Sequence, residues 1–238
     1  KRGSGHVTVQ DVEYRDLPSL KRSVTGGDAI MNAALAHPQV IGAVPRISAS
    51  AMLATASESF GSVMVAYDPD KETEATLAYI EGLDEGALFE GPMDKGIVLG
   101  ATLAQNLGAG LGDKIVYTMM GKDGDIKAGL ARLKGTLKTG TPSVDASIAL
   151  MPIGTLRETI GYAADESTQI AIFIDDPRKS EAAAEALAPG TPEGLVSLPW
   201  SEVPPDLAGF IALKVGGSRF MELVIMLLVA AGLFHTLF

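Results

Sequence analysis

The chain has 238 residues, of which 47% are hydrophobic and 20% are charged, so it can build a packed core and is not a disordered chain. Its net charge of −10 argues against nucleic-acid binding, whose affinity rests on Lys and Arg neutralising phosphates. The absence of cysteine excludes a disulfide framework, a thiol nucleophile and a zinc site built on thiolates. The three histidines, His6, His37 and His235, lie far apart in the sequence, and no His/Asp/Glu spacing resembles a metal site.

The first elements in chain order are a strand, a helix and a β-rich run. Gly5–Val12 alternates apolar and polar residues, which predicts a strand. Asp28 is expected to cap a helix of small residues that stops before Pro38. Residues 40–56 are β-rich, and we expect Pro45 to interrupt them.

The middle of the chain predicts one more helix and then a strand–helix–strand–hairpin series. Asp68 and Pro69 suit the start of a helix from about Asp70 to Ile80, since Asp caps free amides and Pro is favoured in a first turn. The stretch "KGIVLG" indicates a strand, Thr102–Leu107 a helix, and a glycine-rich turn leads to a second strand. The stretch "GKDGD" predicts a hairpin tip, because Gly and Asp tolerate positive φ.

The last third repeats an earlier order of elements. Pro152 opens a helix, and the alternating Ile170, Ile172 and Ile174 predict a strand. Asp176 and Pro177 are expected to cap a helix that ends before Pro189-Gly190, and "GLVSLPW" indicates a further strand. Strand–helix–strand order near residues 5–55 thus recurs near 168–199. This order suggests one subdomain made from both chain ends, with the middle inserted.

The final residues, Phe220–Phe238, form an apolar run that as a helix would be about 28 Å long, close to the hydrocarbon core of a bilayer. A central core helix is the alternative, but the run arrives last and is apolar on every side. Lys214 and Arg219 precede it, where they could meet lipid headgroups, and Glu222 sits near its start. The chain starts with Lys and stops inside this run, which suggests a segment of a longer protein.

Several motifs that suggest a chemical site have simpler structural interpretations. The stretch Gly108–Lys114 is not a nucleotide-binding loop, since Asp113 precedes Lys114 and the helix-to-strand order is wrong; a turn is expected. Asp176 is better explained as a cap than as half of an acid/base pair with Asp175. Trp200 is expected to be a core or interface aromatic. We therefore predict no catalytic, cofactor-binding or metal-binding residue.

Five longer segments stand in a recognisable order: "VIGAVPRISASAML", "VAYDPDKE", "KGIVLGATLAQNLGAGLGDKI", "LKGTLKTGTPSVDASIALMPIGTLRETIG" and "IAIFIDDPRKSEAAAEAL". Their order resembles the extracytoplasmic domain of ABC-transporter permeases of the lipoprotein-releasing, MacB-like and FtsX-like group. The segments cover essentially the whole chain, and the apolar tail matches the position of the second membrane helix of such permeases.

The resemblance implies an α+β fold with two subdomains. Residues 1–66 and 165–213 would form a βαβ-containing porter, and residues 67–164 a β-rich sabre inserted between them. Residues 214–238 would begin the second transmembrane helix.

The resemblance also implies a permease subunit of the bacterial inner membrane whose domain faces the periplasm. Such a subunit couples ATP hydrolysis to the extraction or export of lipoproteins or other amphipathic substrates by mechanotransmission. The segment itself would hold no cofactor, because ATP and Mg are bound by a partner ATPase. The other implied partners are a second permease copy or paralogue, the lipid bilayer, and a periplasmic carrier or adaptor protein.

One family feature differs here. The permease that recruits a periplasmic carrier has a long Pro-containing loop where this chain has the short, Pro-free stretch Met119–Arg132, which argues against carrier docking through that loop. The short stretch leaves open a non-recruiting partner subunit, a single permease that forms a homodimer, and a member with another substrate. An FtsX-like permease that controls cell-wall hydrolases and a MacB-like efflux permease are the alternatives to lipoprotein release. A soluble enzyme is a third hypothesis, but it lacks a candidate nucleophile, base or metal site.

Overall fold

The computed structural model describes residues 5–203, and the apolar run Phe220–Phe238 lies outside the described residues. Within this range ten strands form one mixed sheet: β1 (Val7–Asp11), β2 (Val40–Ala54), β3 (Ser59–Tyr67), β4 (Leu83–Gly86), β5 (Gly96–Gly100), β6 (Lys114–Met120), β7 (Ile126–Leu137), β8 (Ile148–Pro152), β9 (Gln169–Ile174) and β10 (Leu195–Pro199). The α-helices of the same range are α1 (Gly27–Leu35), α2 (Ala101–Asn106), α3 (Pro142–Asp145), α4 (Ile153–Ile160) and α5 (Ser180–Leu187).

The strands follow the order β10-β1-β9-β2-β3-β8-β5-β7-β4, and β6 pairs with both β2 and β7. Most neighbours are antiparallel, whereas β3–β8 and β5–β7 are parallel. The expected mixed α+β fold rich in sheet agrees with this topology.

The two chain ends build an interleaved pair of βαβ units. β1-α1-β2 encloses β9 between its strands, and β9-α5-β10 encloses β1. Both helices lie on one side of these four strands, where Val9, Ile30, Ile172 and Ala183 share a buried core. The predicted strand–helix–strand order at both ends is therefore present in the structure.

The longest strand, β2, links this end of the sheet to the rest. Its first half pairs with β9 from Val40 to Arg46, and its second half pairs with β3 from Arg46 to Ala54. At 15 residues it extends about 50 Å. The expected interruption at Pro45 was wrong. β3 joins only from Arg46 onward, so β2 has a neighbour on one side alone at Pro45, and a residue without an N–H is tolerated there.

Beyond Arg46 the sheet is covered on both faces over most of its width. One face packs against α2 and α4 through residues such as Leu103, Leu107 and Leu156. The segment between β3 and β5 covers part of the other face, and its Leu77 and Phe89 pack in the cluster that contains Val65, Tyr67 and Leu150. This second cover does not include the side chains of β6.

The predicted helix from about Asp70 to Ile80 was wrong. These residues form turns followed by a short 3-10 helix, Ile80–Gly82. The Asp68 carboxylate accepts a hydrogen bond from the Asp70 amide, as a cap does, but Glu72 then turns inward to meet Arg46. A regular helix does not form here, because the buried Arg46 guanidinium requires the Glu72 carboxylate as its partner.

Two smaller features also differ from what the sequence predicted. Asp28 lies in the first turn of α1, but the cap position belongs to Gly26, which has a φ of 67° and makes no side-chain cap bond. The short helix α3 was not predicted. Its Asp145 carboxylate accepts hydrogen bonds from the Thr139 amide and hydroxyl, which fixes the turn before β8.

Among residues 5–203, no helix is both long enough and apolar enough to cross a bilayer. Within the same range, no three His, Asp or Glu side chains come together in a way that could hold a metal ion.

We expect Gly100→Ala to lower the free energy of unfolding by about 1–3 kcal/mol, the usual cost of an overpacked site. A Cβ at Gly100 would lie 2.2 Å from the Asp145 carbonyl oxygen, so backbone must move. Urea unfolding followed by circular dichroism measures the change. Gly61→Ala is the matched control, because a Cβ in that strand meets nothing within 4 Å. Equal unfolding midpoints for the two variants would contradict the expected clash.

Candidate docking surface

The strands β6 and β7 form an antiparallel hairpin closed by the five residues 121–125. The Gly121 amide donates to the Asp125 carbonyl at 2.7 Å, and Gly124 has a φ of 90°, a conformation that glycine adopts without strain. The predicted hairpin tip at "GKDGD" is confirmed. The turn contains no Pro, and with five residues it is not a long loop.

The inward face of this hairpin is part of the core. Ile115, Tyr117 and Met119 are buried in the cluster formed with α2 and α4. The Tyr117 ring occupies the space above Gly129, where a Cβ would lie 2.2 Å from the ring, and its hydroxyl contacts the Thr159 hydroxyl at 2.8 Å. These contacts hold the hairpin in one orientation against α4.

The outward face of the hairpin is apolar and open to solvent. We call "the hairpin face" the set Met52, Val116, Met120, Ile126 and Leu130, whose exposed fractions run from 41% to 77%. The ladder places Val116 opposite Leu130 and Met120 opposite Ile126, while β2 lies directly beside β6. Thr118 and Ala128 lie between these two pairs on the same face, and Met52 lies opposite Thr118, so the apolar side chains form a row along the face that one hydroxyl interrupts. Contiguous exposed apolar surface marks sites of interaction, whereas single exposed apolar residues do not.

One end of the hairpin face is positively charged. Lys114 and Arg132 are exposed and stand directly opposite each other in the ladder. The Arg132 guanidinium donates one hydrogen bond to the Gly112 carbonyl at 3.1 Å. Like charges that face each other across a ladder repel. An acidic group of a bound partner would relieve this repulsion, so the surface fits a partner with an apolar centre and an acidic edge.

The hairpin is tied to the linker before β9 by a largely buried carboxylate. The Glu166 side chain is 1% exposed and lies 2.6 Å from the Lys122 ammonium. It also accepts hydrogen bonds from the Ser23 hydroxyl and the Ala163 amide. Burial by itself would raise the pKa of Glu166, but the hydrogen bonds from Lys122, Ser23 and Ala163 outweigh it and lower the pKa below its ordinary value.

The motifs examined in the sequence have local structural roles, and one of them, Gly108–Lys114, ends at the basic end of the hairpin face. Gly108 has a φ of 62° after α2, and Asp113 accepts from the Gly110 amide at 2.8 Å, so Gly108–Lys114 is the expected helix-to-strand turn. The Asp176 carboxylate accepts from the Arg178 amide at 3.1 Å and so acts as a cap, but of the short 3-10 helix Pro177–Lys179 and not of α5, whose cap position is Lys179. Trp200 follows β10 and is 40% exposed.

The histidines within the described residues bond to nearby backbone. His6 Nδ1 accepts from the Ile174 amide at 3.1 Å, and His37 Nδ1 accepts from the Gln39 amide at 3.4 Å. His235 lies outside the described residues.

Sequence reasoning missed the hairpin face, although a signal existed: Ile115–Met120 is apolar at nearly every position, and a strand with only one buried face should alternate.

Comparisons with known proteins agree on one family. The family model for the MacB-like periplasmic core domain matches residues 2–189. The lipoprotein-releasing system transmembrane protein LolC of Neisseria meningitidis serogroup B (strain ATCC BAA-335 / MC58) is 29% identical over 196 residues, which cover 78% of this chain and 42% of LolC. The chain thus spans less than half the length of that relative.

Two solved structures share the fold at 14% sequence identity. The extracellular domain of the noncanonic ABC-type transporter YknZ from Gram-positive bacteria superposes with a TM-score of 0.55, covering 81% of this chain and 98% of that domain. The periplasmic region of MacB from Actinobacillus actinomycetemcomitans superposes with a TM-score of 0.54, covering 88% and 92% respectively.

We expect Glu166→Gln to destabilise the protein at pH 7 and to have progressively less effect as the pH falls. The lowered pKa means that Glu166 adds stability above its unfolded-state pKa of about 4.3 and loses this contribution as the pH falls through its folded-state pKa. Hydrogen bonds to a charged group contribute about 1.5–3 kcal/mol. Thermal unfolding between pH 3 and pH 7 measures the difference. Glu158→Gln, an exposed residue of α4, is the control. A deficit in Glu166→Gln that stays constant across this range would contradict the assignment.

Proposed function

Because the chain belongs to the family of MacB-like periplasmic core domains, we propose that it is the periplasmic part of an ABC-transporter permease. In this proposal, cytoplasmic ATP hydrolysis by a partner ATPase, which binds the ATP and Mg, moves the permease. The periplasmic domain transmits that movement to the extraction or export of lipoproteins or other amphipathic substrates. The 29% identity to a lipoprotein-releasing protein supports this substrate class.

The observation that carries the proposal is a continuous hydrogen-bonded path from the chain ends to the hairpin face. β1 and β10, which lie at the two ends of the described residues, are neighbours in the sheet. β1 pairs with β9, β9 pairs with β2, and β2 pairs with β6. A force applied at the chain ends therefore reaches the hairpin through strands that resist stretching, as mechanotransmission requires.

We assign residues 1–66 and 165–213 to a porter and residues 67–164 to an inserted sabre. The interleaved βαβ units and their separate core of Val9, Ile30 and Ile172 support the porter. In sequence the sabre is the middle segment, but its core also takes up side chains from the second half of β2 and from β3, such as Leu53 and Met64.

We further propose that residues 214–238 begin a membrane helix and that the domain stands in the periplasm above the bacterial inner membrane. The apolar run Phe220–Phe238 has the length and composition that a bilayer span needs. Lys214 and Arg219 precede it, where headgroup phosphates can pair with them. A second permease copy or paralogue completes the transporter.

The hairpin face is where we place a periplasmic carrier or adaptor protein. Its apolar side chains and the basic pair Lys114 and Arg132 suit a protein partner. Because the turn has only five residues, this docking would use the strands themselves and not a long loop.

A regulatory permease that controls cell-wall hydrolases is the second candidate. The short turn favours it, since this chain lacks the long loop expected of a carrier-recruiting permease. Capture of a hydrolase by the full-length protein, with no change in lipoprotein sorting, would support regulation over transport.

We expect the double variant Ile126→Asp/Leu130→Asp to reduce ATP-driven substrate release at least tenfold, while basal ATPase activity stays unchanged. Two charges on the hairpin face impose a desolvation cost on any apolar partner, but both positions are exposed, so folding is spared. The assay uses the full-length permease with its ATPase in proteoliposomes, with the periplasmic partner present.

Val12→Asp/Ile41→Asp is the matched control, because both of these apolar residues are also more than half exposed; Val12 follows β1, and Ile41 lies in the part of β2 that pairs with β9. Equal release by the two double variants would remove the hairpin face from the proposal. A wild-type complex that releases no substrate with ATP would overturn the transport function itself.

A further inference from the structure

A fully buried ion pair lies at the midpoint of β2. Both side chains, Arg46 and Glu72, are 0% exposed. The guanidinium donates to the two Glu72 carboxylate oxygens at 2.5 and 3.0 Å, and to the Thr76 carbonyl at 2.7 Å. Its carbon stands 5.7 Å from the centre of the Phe173 ring. One side chain thus contacts β9 and the segment that follows β3.

The place of this pair in the topology is specific. Arg46 is the last residue of β2 that pairs with β9, where it faces Gln169, and the first that pairs with β3, where it faces Tyr67. At this residue β2 passes from the chain-end strands, β1, β9 and β10, to the hairpin-bearing strands, β3, β6 and β7. A bend of β2 between the two groups would centre here, because β2 has β9 beside it before this point and β3 after it. The Lys122–Glu166 pair is a second link between the two groups.

Stability alone does not account for the pair. Two charges that leave water lose hydration, and a buried ion pair is often no more stabilising than apolar side chains of the same volume. What a bidentate Arg–carboxylate pair does supply is fixed geometry, since both groups are planar and match in only one arrangement. Glu72 also belongs to a segment of turns, which has no regular structure of its own to set its position.

We propose that Arg46 and Glu72 are positioning residues that fix the angle between the chain-end strands and the hairpin-bearing strands. The pair locks the pivot of β2, so that movement of the chain ends swings the hairpin face as one body. This role rests on the proposed function, in which such movement drives export, but the fixed angle is a property of the fold that can be measured separately.

The test uses the full-length permease with cysteine spin labels at Ile41 and Ile126, and with any other cysteines removed. Both positions are exposed, and they lie at opposite ends of the path through β2. The double variant Arg46→Met/Glu72→Leu replaces the pair with apolar side chains and leaves no single charge buried, so it should fold. Thermal unfolding compares the double variant with Arg46→Met alone, which leaves Glu72 buried without its partner and should be the less stable of the two. Lys134→Met, which removes the less buried pair with Asp94, is the control.

We expect the spin–spin distance distribution of the Arg46→Met/Glu72→Leu variant to be at least twice as wide as that of wild type and of Lys134→Met. ATP-driven release should fall about tenfold with basal ATPase activity retained. An unchanged distance distribution overturns the inference, and so does a wider one with wild-type release. If wild type itself shows no ATP-driven release, the proposed function fails, whereas the distance measurement still decides whether the pair fixes the angle.

Discussion

A single strand that changes neighbours halfway is the constraint on which the rest of the structure depends. β2 has β9 beside it up to Arg46 and β3 beside it from Arg46 onward. Two groups of strands that could have been separate sheets are joined by it into one hydrogen-bonded layer. The same strand then reaches β6, and the Lys122–Glu166 pair ties the hairpin to the linker before β9. The sheet and this ion pair together set the position of the hairpin.

The hairpin face is bare because the elements that cover the sheet end before they reach it. Two helices, α2 and α4, cover the inward side of β6 and β7. The segment between β3 and β5 covers the opposite side over β3, β5, β8 and the last residue of β7, Leu137. Val116 and Ile126 therefore lie on a sheet surface with no cover among residues 5–203. Apolar side chains that stay in contact with water there keep an unfavourable hydration free energy, which folding does not remove. A bound partner would bury these side chains and remove it, and this is the physical reason for placing a docking site on the strands.

Local patterns predicted the elements whose structure is set locally, and failed where a distant residue decides. The strand at Ile170–Ile174, the cap at Asp176 and the hairpin tip at Gly124 each follow from neighbours in sequence. The helix expected after Pro69 does not form, because Glu72 pairs with Arg46, which is 26 residues away. Pro45 is tolerated because β3 ends at Tyr67, opposite Arg46, and leaves that side of Pro45 without a strand neighbour. The hairpin face depends on which elements cover it, and no single strand's pattern contains that information.

The charge of the molecule makes the basic end of the hairpin face more selective than its two cations suggest. The chain carries a net charge of −10, so an acidic partner is repelled by most of the surface. Lys114 and Arg132 are adjacent and exposed, and together they place two positive charges where that partner can be attracted. Such a charge arrangement steers encounter and orientation more than it adds affinity, while the apolar side chains supply the affinity. Orientation and affinity thus come from adjacent parts of one surface, held at a fixed place by β2.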